Sequence, residues 1–158
     1  MLMKPLPYTH SCFVCGESNS FGLKLRFETD GRLVQTRFVP RAEHIGFKGV
    51  VHGGIMATVL DEIMVWACAV PTRKFAYCAE LTVRYLQPVV PGAEIIITGE
   101  LVENRKDRIY EAKAAAFTDA KAMLAEARGK YRPIKAIDLS EMAQDFVGDP
   151  TWFLAKSD

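Results

Sequence analysis

One long apolar segment, residues 53–70, constrains the fold of this chain more than any other feature of the sequence. Within it, Ile55, Val59 and Ile63 recur at the spacing of one helical face. The positions between them are also mostly apolar, so the segment predicts a helix that is buried on nearly all sides. We expect Pro71 to end this helix, because proline lacks the amide hydrogen that a continuing helix needs.

The rest of the chain predicts strands rather than further long helices. Alternating or β-branched apolar residues mark six segments, and Asp30-Gly31 predicts a hairpin turn between the first two. A short capped helix is predicted at residues 140–146. The six predicted strands cover residues 23–27, 34–38, 81–85, 95–102, 109–118 and 123–131.

Two strands, one buried helix and four further strands predict an α+β arrangement. A single helix cannot cover both faces of a sheet, so we expect an antiparallel sheet of about six strands that curves around it. The uncovered sheet face and any exposed edge strand need a partner, which favours self-association. We expect one domain over residues 1–158, with its core in about 10–131 and a carboxy-terminal extension of unassigned role in 132–158.

Charge and composition argue against several classes of function. Twenty Lys and Arg against 19 Asp and Glu give a net charge of +1, which does not favour a nucleic-acid-binding surface. Asp61 and Glu62 interrupt the apolar stretch of residues 55–70, which argues against a membrane span. The first residues contain no apolar signal segment, and four cysteines without one favour reduced thiols and a cytoplasmic location.

The start of the apolar helix is chemically the most informative part of the chain. The first amide groups of a helix lack internal partners and lie at the positive end of its dipole, so they can polarise a carbonyl group. Gly53 and Gly54 at this point allow a ligand to approach the backbone closely. Asp61 follows nine residues after His52, where a carboxylate within an apolar helix is costly unless it is hydrogen-bonded or functional. These residues alone indicate a possible site and leave the reaction open.

The segment His-Gly-Gly-x-x-Ala-x-x-Leu-Asp-Glu at residues 52–62 resembles the central-helix motif of hotdog-fold acyl-CoA thioesterases of the phenylacetyl-CoA and 4-hydroxybenzoyl-CoA type. Residues 12–23 are similar to an amino-terminal segment of one subgroup, and residues 78–92 resemble the strand and turn that follow the helix. The likeness covers about residues 10–131. It implies the hotdog fold, in which a curved antiparallel sheet wraps around one central helix.

The resemblance implies that the chain hydrolyses an acyl-CoA thioester to a free acid and coenzyme A, without a cofactor or a metal. By this likeness Asp61 is the general base or nucleophile. The backbone N–H of Gly53 polarises the thioester carbonyl, and His52 orients the site. The resemblance also implies a homodimer or a dimer of dimers, in which each active site forms between two subunits.

Six further residues are expected to contact the substrate. They are Gly54, Gly46, Cys78, Arg84, Arg105 and Lys106. The three basic residues are candidates to bind the phosphates of coenzyme A, although a solvated charged turn explains Arg105 and Lys106 equally well.

Two positions depart from the family pattern and keep other functions open. Several members have an asparagine where this chain has Gly46, and members often have Ser or Thr where it has Cys78, whose thiol is a poorer hydrogen-bond donor. His44 is a candidate to supply the missing group. One alternative is a non-catalytic acyl-CoA-binding protein. The other is an acyl-thioester dehydratase or hydratase of the same fold, whose typical helix entry and histidine position are not found here.

The pair Cys12-x-x-Cys15 has the spacing of half a zinc site. A closed zinc site needs four ligands, and no second such pair follows in the sequence. A redox role lacks the expected βαβ context. The sequence therefore predicts a tight turn with small thiols packed inward and no metal. Glu62 is predicted to make an ion pair or an interface contact.

Overall fold

The structure is a computed structural model that describes residues 2–150, and for residues 136–139 only the backbone. An antiparallel sheet wraps around one long helix, and a second, two-stranded sheet joins the two ends of the described chain. In chain order the elements are β1 (Lys4–Pro5), β2 (Tyr8–Thr9), β3 (Phe27–Thr29), β4 (Leu33–Phe38), a 3₁₀ helix (Ala42–His44), α1 (Gly53–Thr72), β5 (Ala76–Tyr85), β6 (Ile95–Arg105), β7 (Ile109–Thr118), β8 (Met123–Pro133), α2 (Ala136–Gln144) and β9 (Phe146–Val147).

The main sheet has seven strands in the order β1-β3-β4-β6-β7-β8-β5. All its neighbouring strands are antiparallel. After α1 the chain crosses to the far edge of the sheet, where β5 pairs with β8 and with no other strand of the described residues. The predicted α+β hotdog architecture is confirmed, with the two-residue strand β1 as an addition to the six predicted strands.

Helix α1 forms the centre of the core. Ten of its 20 residues are buried, among them Leu60, Ile63 and Met64 with no exposed surface. By length and hydropathy it is also long and apolar enough to span a membrane, but here it is the core helix against which the sheet packs. The alanine-rich run 112–116 forms part of β7 despite its helical propensity. Its alternate alanines are buried. Their small side chains let the helix approach the sheet closely.

Several predicted boundaries were wrong. The predicted strand at 23–27 is reduced to its last residue, because Lys24 has a φ of 54° and the amides on either side of it bond to the turn at residues 13–14. Helix α1 continues one residue past Pro71, to Thr72, and Arg73 with a φ of 60° forms its carboxy-terminal cap. Strand β5 begins five residues earlier than predicted, and the predicted helix at 140–146 lies instead at Ala136–Gln144.

The two ends of the described chain pack together over the side of α1 that carries Glu62 and Trp66. Strand β9 pairs with β2, and the Ser11 hydroxyl donates a hydrogen bond of 2.5 Å to Asp145 Oδ2. The ring of Phe146 packs against Trp66, with centroids 6.4 Å apart. The expected extension at 132–158 thus completes the core as far as the structure describes it, while Trp152 and Phe153 lie outside the described residues.

Replacing Ile63 by alanine should lower the free energy of unfolding by about 2–5 kcal/mol, because it removes a fully buried side chain and leaves a cavity. Val102→Ala is the control. It also shortens an apolar side chain in a regular element, but Val102 is 48% exposed, and we expect a loss below about 1 kcal/mol. Denaturant unfolding of both variants at one protein concentration measures the difference. Equal losses would contradict the placement of the core.

Candidate active site

His52 caps the start of α1 with its own side chain. Its Nδ1 accepts a hydrogen bond of 2.8 Å from the backbone N–H of Gly54. The N–H of Gly54, an expected substrate contact, is therefore already used inside the chain. Within the described residues, the N–H of Gly53 has no hydrogen-bond acceptor. Gly53 is thus the amide at this helix entry that can donate to a bound carbonyl oxygen.

Residues from two other segments complete the helix entry. The hydroxyl of Tyr85, at the end of β5, donates a hydrogen bond of 2.7 Å to the carbonyl oxygen of Gly53. Gly46 lies against His52, since a Cβ at Gly46 would be 3.1 Å from the His52 ring. The structure thus brings His52, Gly53 and Gly46 together, as expected, and adds Tyr85, which sequence analysis did not single out and which is 54% exposed.

His44, a candidate to replace the missing asparagine, is engaged elsewhere. Its Nδ1 accepts a hydrogen bond of 3.0 Å from the backbone N–H of Arg41, and its ring packs against Phe38. Burial, followed by the positive charge of Arg41, lowers the pKa of the imidazole. His44 contributes its backbone carbonyl, which accepts a hydrogen bond from His52 N–H at 2.8 Å. It positions the helix entry through its backbone rather than through its ring.

Asp61 is held by a proton donor from the sheet. The hydroxyl of Tyr131, a fully buried residue of β8, donates a hydrogen bond of 2.8 Å to Asp61 Oδ1. Cys78 of β5 pairs with Tyr131 in the sheet register, which brings its thiol close enough to Asp61 for the carboxylate to raise the pKa of the thiol. We refer to Asp61, Cys78 and Tyr131 as the carboxylate cluster.

Electrostatics keep both donors of the carboxylate cluster protonated at neutral pH. Burial, then the negative charge of Asp61 and the hydrogen bond to it, raise the pKa of Cys78 to about 11. The same causes, again led by burial, raise the pKa of Tyr131 above its usual range. A carboxylate that accepts a hydrogen bond from a neutral, buried hydroxyl is fixed in orientation.

Tyr131 is the site residue that sequence reasoning missed. Its ring crosses over Gly129, where a Cβ would lie 2.6 Å from the Tyr131 ring, so only glycine admits it. The feature that identifies Tyr131 as a neighbour of Asp61 is the pairing of β5 with β8, which sets Tyr131 opposite Cys78. A bulge between Cys78 and Glu80 shifts that register, and the shift is not readable from the sequence.

Gly53 and Asp61 of one chain are too far apart to act on the same carbonyl group. Eight residues of helix separate them, which corresponds to about 12 Å along the axis. A reacting carbonyl must lie about 3 Å from both its oxyanion donor and its base or nucleophile. To act on one carbonyl group, Gly53 and Asp61 would have to come from two copies of the chain, and we refer to the helix entry and the carboxylate cluster as the two half-sites.

Arg84 does not reach either half-site within this chain. Its Nη1 pairs with Glu126 Oε1 at 2.6 Å. It lines a depression of about 720 Å³ together with Glu80, Lys113 and Lys130. These charged side chains lie on the outer face of the sheet, opposite α1, so this depression does not contain the carboxylate cluster.

The turn with Arg105 and Lys106 also lies away from the helix entry. Arg105 pairs with Glu103 at 3.1 Å and with Glu111 at 2.8 Å. In the same turn, Asp107 pairs at 3.1 Å with Lys74, two residues after α1 ends. The turn is therefore at the carboxyl end of the helix, while Gly53 is at its amino end. Within one chain these basic residues are not brought to the helix entry.

Glu62 follows Asp61 but faces the amino-terminal turn instead of the sheet. It forms no ion pair with a described residue, which corrects the expected ion pair. Its Oε1 lies 3.7 Å from Cys12 Sγ. Burial, then the negative charges of Cys12 and Asp61, raise the pKa of Glu62 to about 8. As predicted, residues 12–16 form a tight turn that buries Cys15.

His52, Gly53, Asp61, Cys78 and Tyr85 lie in the part of the chain that matches a known family, whereas Tyr131 lies beyond it. The model of the thioesterase superfamily matches residues 48–110, from the loop before α1 into β7. No curated protein matches this chain in sequence.

Solved structures share the fold. One thioesterase superfamily protein is 25% identical, with a TM-score of 0.72, and the match covers 78% of this chain and 60% of that one. The PaaI protein of the E. coli phenylacetic acid degradation operon is 18% identical, with a TM-score of 0.65 and coverage of 72% and 81%. The smu.793 protein of Streptococcus mutans UA159, bound to acetyl CoA, is 19% identical, with a TM-score of 0.60 and coverage of 65% and 81%. The resemblance to hotdog-fold thioesterases is confirmed.

The raised pKa of Cys78 gives a test of the carboxylate cluster. At pH 8 a thiol with a pKa of about 11 is only about 0.1% thiolate, so Cys78 should alkylate far more slowly than a free thiol although it is exposed. Asp61→Asn should speed this labelling several-fold, because it removes the negative charge that disfavours the thiolate.

The labelling is measured by mass spectrometry between pH 7 and 10, with Asp119→Asn, which removes a carboxylate in an exposed turn, as the control. We expect the control to label like the unchanged protein. Equal rates for Asp61→Asn and Asp119→Asn would contradict the contact between Cys78 and Asp61.

Proposed function

We propose that this protein, which has the fold of the thioesterase superfamily and matches its sequence model across the central helix, hydrolyses an acyl-CoA thioester to a free acid and coenzyme A. The observation that carries the proposal is the Asp61 carboxylate, held at 2.8 Å by the buried hydroxyl of Tyr131 on a mostly apolar helix. Structures of this fold with acetyl CoA or coenzyme A support the choice of ligand.

The proposed chemistry needs only a carboxylate and an amide. Asp61 takes a proton from a water molecule that attacks the thioester carbon, or attacks that carbon itself to form an anhydride that water then opens. The Gly53 N–H donates a hydrogen bond to the oxygen that becomes negative in the tetrahedral intermediate. When this intermediate collapses, the carbon–sulfur bond breaks, and the thiolate of coenzyme A leaves and takes up a proton. Tyr131 and Cys78 hold the carboxylate in orientation.

The distance between the half-sites supports a site shared by two copies of the chain. Strand β5 links both half-sites, because Tyr85 at its end contacts Gly53 and Cys78 near its start contacts Asp61. Antiparallel pairing of two copies of β5 about its middle sets the Tyr85 end of one strand beside the Cys78 end of the other. The Gly53 N–H of one subunit then faces the Asp61 carboxylate of its partner.

The surface of β5 supports the same pairing. It is a ten-residue edge strand with most of its residues exposed, and long unpaired edges are templates for pairing with another chain. Tyr77 and Tyr85 on it are 59% and 54% exposed. We therefore propose a homodimer joined along β5, alone or within a dimer of dimers.

The test is hydrolysis of a panel of short, medium, long and aryl acyl-CoA thioesters, followed by the loss of thioester absorbance. We expect turnover of at least one member and a loss of at least ~100-fold in Asp61→Asn, the scale of a lost base or nucleophile. Asp119→Asn controls for removal of an aspartate charge, and circular dichroism checks that each variant is folded. The absorbance readout avoids thiol reagents, which would also react with the cysteines of the protein.

Three results would contradict the proposal. Full activity of Asp61→Asn would exclude Asp61 as the catalytic carboxylate. Absence of hydrolysis by the folded protein, with saturable binding of coenzyme A, would favour the acyl-CoA-binding alternative. A change in an enoyl or 3-hydroxyacyl double bond without release of thiol would favour a dehydratase or hydratase.

A further inference from the structure

A second group of reactive side chains lies on a different face of α1 from the carboxylate cluster, and the proposed hydrolysis does not use it. The sulfurs of Cys12 and Cys15 and a carboxylate oxygen of Glu62 all lie within 4.8 Å of one another. Cys15 is buried, while Cys12 and Glu62 are partly exposed. We refer to these three residues as the thiol–carboxylate cluster. They come from two segments that are 47 residues apart in the sequence.

The amino-terminal turn places hydrogen-bond donors around both sulfurs. The backbone N–H of Val14 donates to Cys12 Sγ at 3.2 Å, and Thr9 Oγ1 lies 3.5 Å from Cys15 Sγ. The turn closes with a hydrogen bond of 2.8 Å from Gly16 N–H to the carbonyl oxygen of Cys12. A Cβ at Gly16 would lie 2.1 Å from that oxygen, so the turn requires glycine. Donors of this kind orient thiolate ligands and tune them for a metal.

We propose that the thiol–carboxylate cluster binds Zn²⁺ through two sulfurs and one carboxylate oxygen, with a fourth position open to water. Tetrahedral zinc with bonds of about 2.3 Å to sulfur and 2.1 Å to oxygen sets sulfur and oxygen about 3.6 Å apart, and two sulfurs about 3.8 Å apart. The separation of Cys12 Sγ and Glu62 Oε1 is 3.7 Å, which already fits. Two thiolates select a borderline-soft metal over Mg²⁺ or Ca²⁺.

The charge balance also fits a divalent cation. On binding, the metal replaces the protons of the thiols and of the carboxyl group, which are released to solvent. Two thiolates, one carboxylate and Zn²⁺ together carry a charge of −1. Arg26 offsets this charge, because its Nη1 donates a hydrogen bond of 2.9 Å to the carbonyl oxygen of Cys15. The metal would tie the amino-terminal turn to α1, one residue after Asp61.

The test is a titration of the full, reduced chain with Co²⁺ after treatment with a chelator. Co²⁺ takes zinc sites and reports thiolate ligands by a charge-transfer absorption. We expect one Co²⁺ per chain, loss of this absorption in Cys12→Ser and Cys15→Ser, and at least ~10-fold weaker binding in Glu62→Gln. Zn²⁺ should displace Co²⁺, and free Zn²⁺ at 100 times its Kd should raise the Tm by about 5–10 °C.

Matched variants separate the cluster from other groups on the chain. Cys78→Ser removes a thiol and Glu17→Gln removes an exposed carboxylate near the turn, and both should keep the charge-transfer absorption. No absorption at excess Co²⁺, with all four thiols shown to be reduced, would overturn the proposal. So would an absorption that survives in Cys12→Ser. If Cys15→Ser does not fold, the variants of the partly exposed Cys12 and Glu62 decide whether the cluster binds the metal. None of these measurements depends on thioesterase activity.

Discussion

The burial of a helix that carries two adjacent carboxylates is the constraint on which the rest of this structure depends. Asp61 and Glu62 lie in the middle of α1, where the neighbouring side chains form the core. A buried acid is costly unless it has hydrogen-bond partners. Successive residues of a helix point about 100° apart, so the two acids meet different surroundings. Asp61 faces the sheet, and Glu62 faces the amino-terminal turn that contains Cys12.

Each carboxylate is satisfied in a different chemical way. Asp61 accepts a hydrogen bond from Tyr131 and has the Cys78 thiol beside it, and burial raises the pKa of both neighbours. This arrangement fixes the orientation of the carboxylate, as the proposed hydrolysis requires. Glu62 instead contacts Cys12, and burial raises its pKa to about 8. The sulfurs of Cys12 and Cys15 and the Glu62 carboxylate lie within 4.8 Å of one another, and this arrangement carries the proposed metal site.

The sequence predicted the parts of the fold that depend on local pattern. The apolar stripe of α1, the alternation in β4 and the turn at Asp30-Gly31 each follow from side-chain periodicity or backbone preference. The strand at residues 23–27 failed, because Lys24 adopts a left-handed conformation that alternation does not reveal.

Residues of the two candidate sites could likewise be predicted where they depend on local pattern, and not where they depend on contacts between distant segments. Asp61 and Gly53 were predicted as site residues from spacing along one helix and from family resemblance, and they remain predictions. Tyr131 was missed because it reaches Asp61 only through the pairing of β8 with β5, including a bulge. Glu62 was predicted to make an ion pair or an interface contact, and Cys12-x-x-Cys15 was predicted to form a tight turn without a metal, because no further ligands follow it in the sequence. Their proximity arises from packing between distant segments, which spacing within one motif cannot express.

The central claim is that Gly53 of one subunit and Asp61 of its partner form one site, and mixed dimers test it most directly. Gly53→Pro removes the amide hydrogen while it suits the first position of a helix, and His52 already has the extended conformation that precedes proline. Gly53→Ala, which keeps the amide hydrogen, measures the effect of the added side chain. Unfolded Gly53→Pro and Asp61→Asn chains are mixed in equal amounts, refolded together, and assayed with an acyl-CoA that the unchanged protein hydrolyses.

Half of the refolded dimers should be mixed, and each mixed dimer has one intact site out of two. The account therefore predicts recovery to about one quarter of the unchanged activity, although each variant refolded alone is nearly inactive. Activity that stays at the level of the separate variants would contradict a site shared between two subunits.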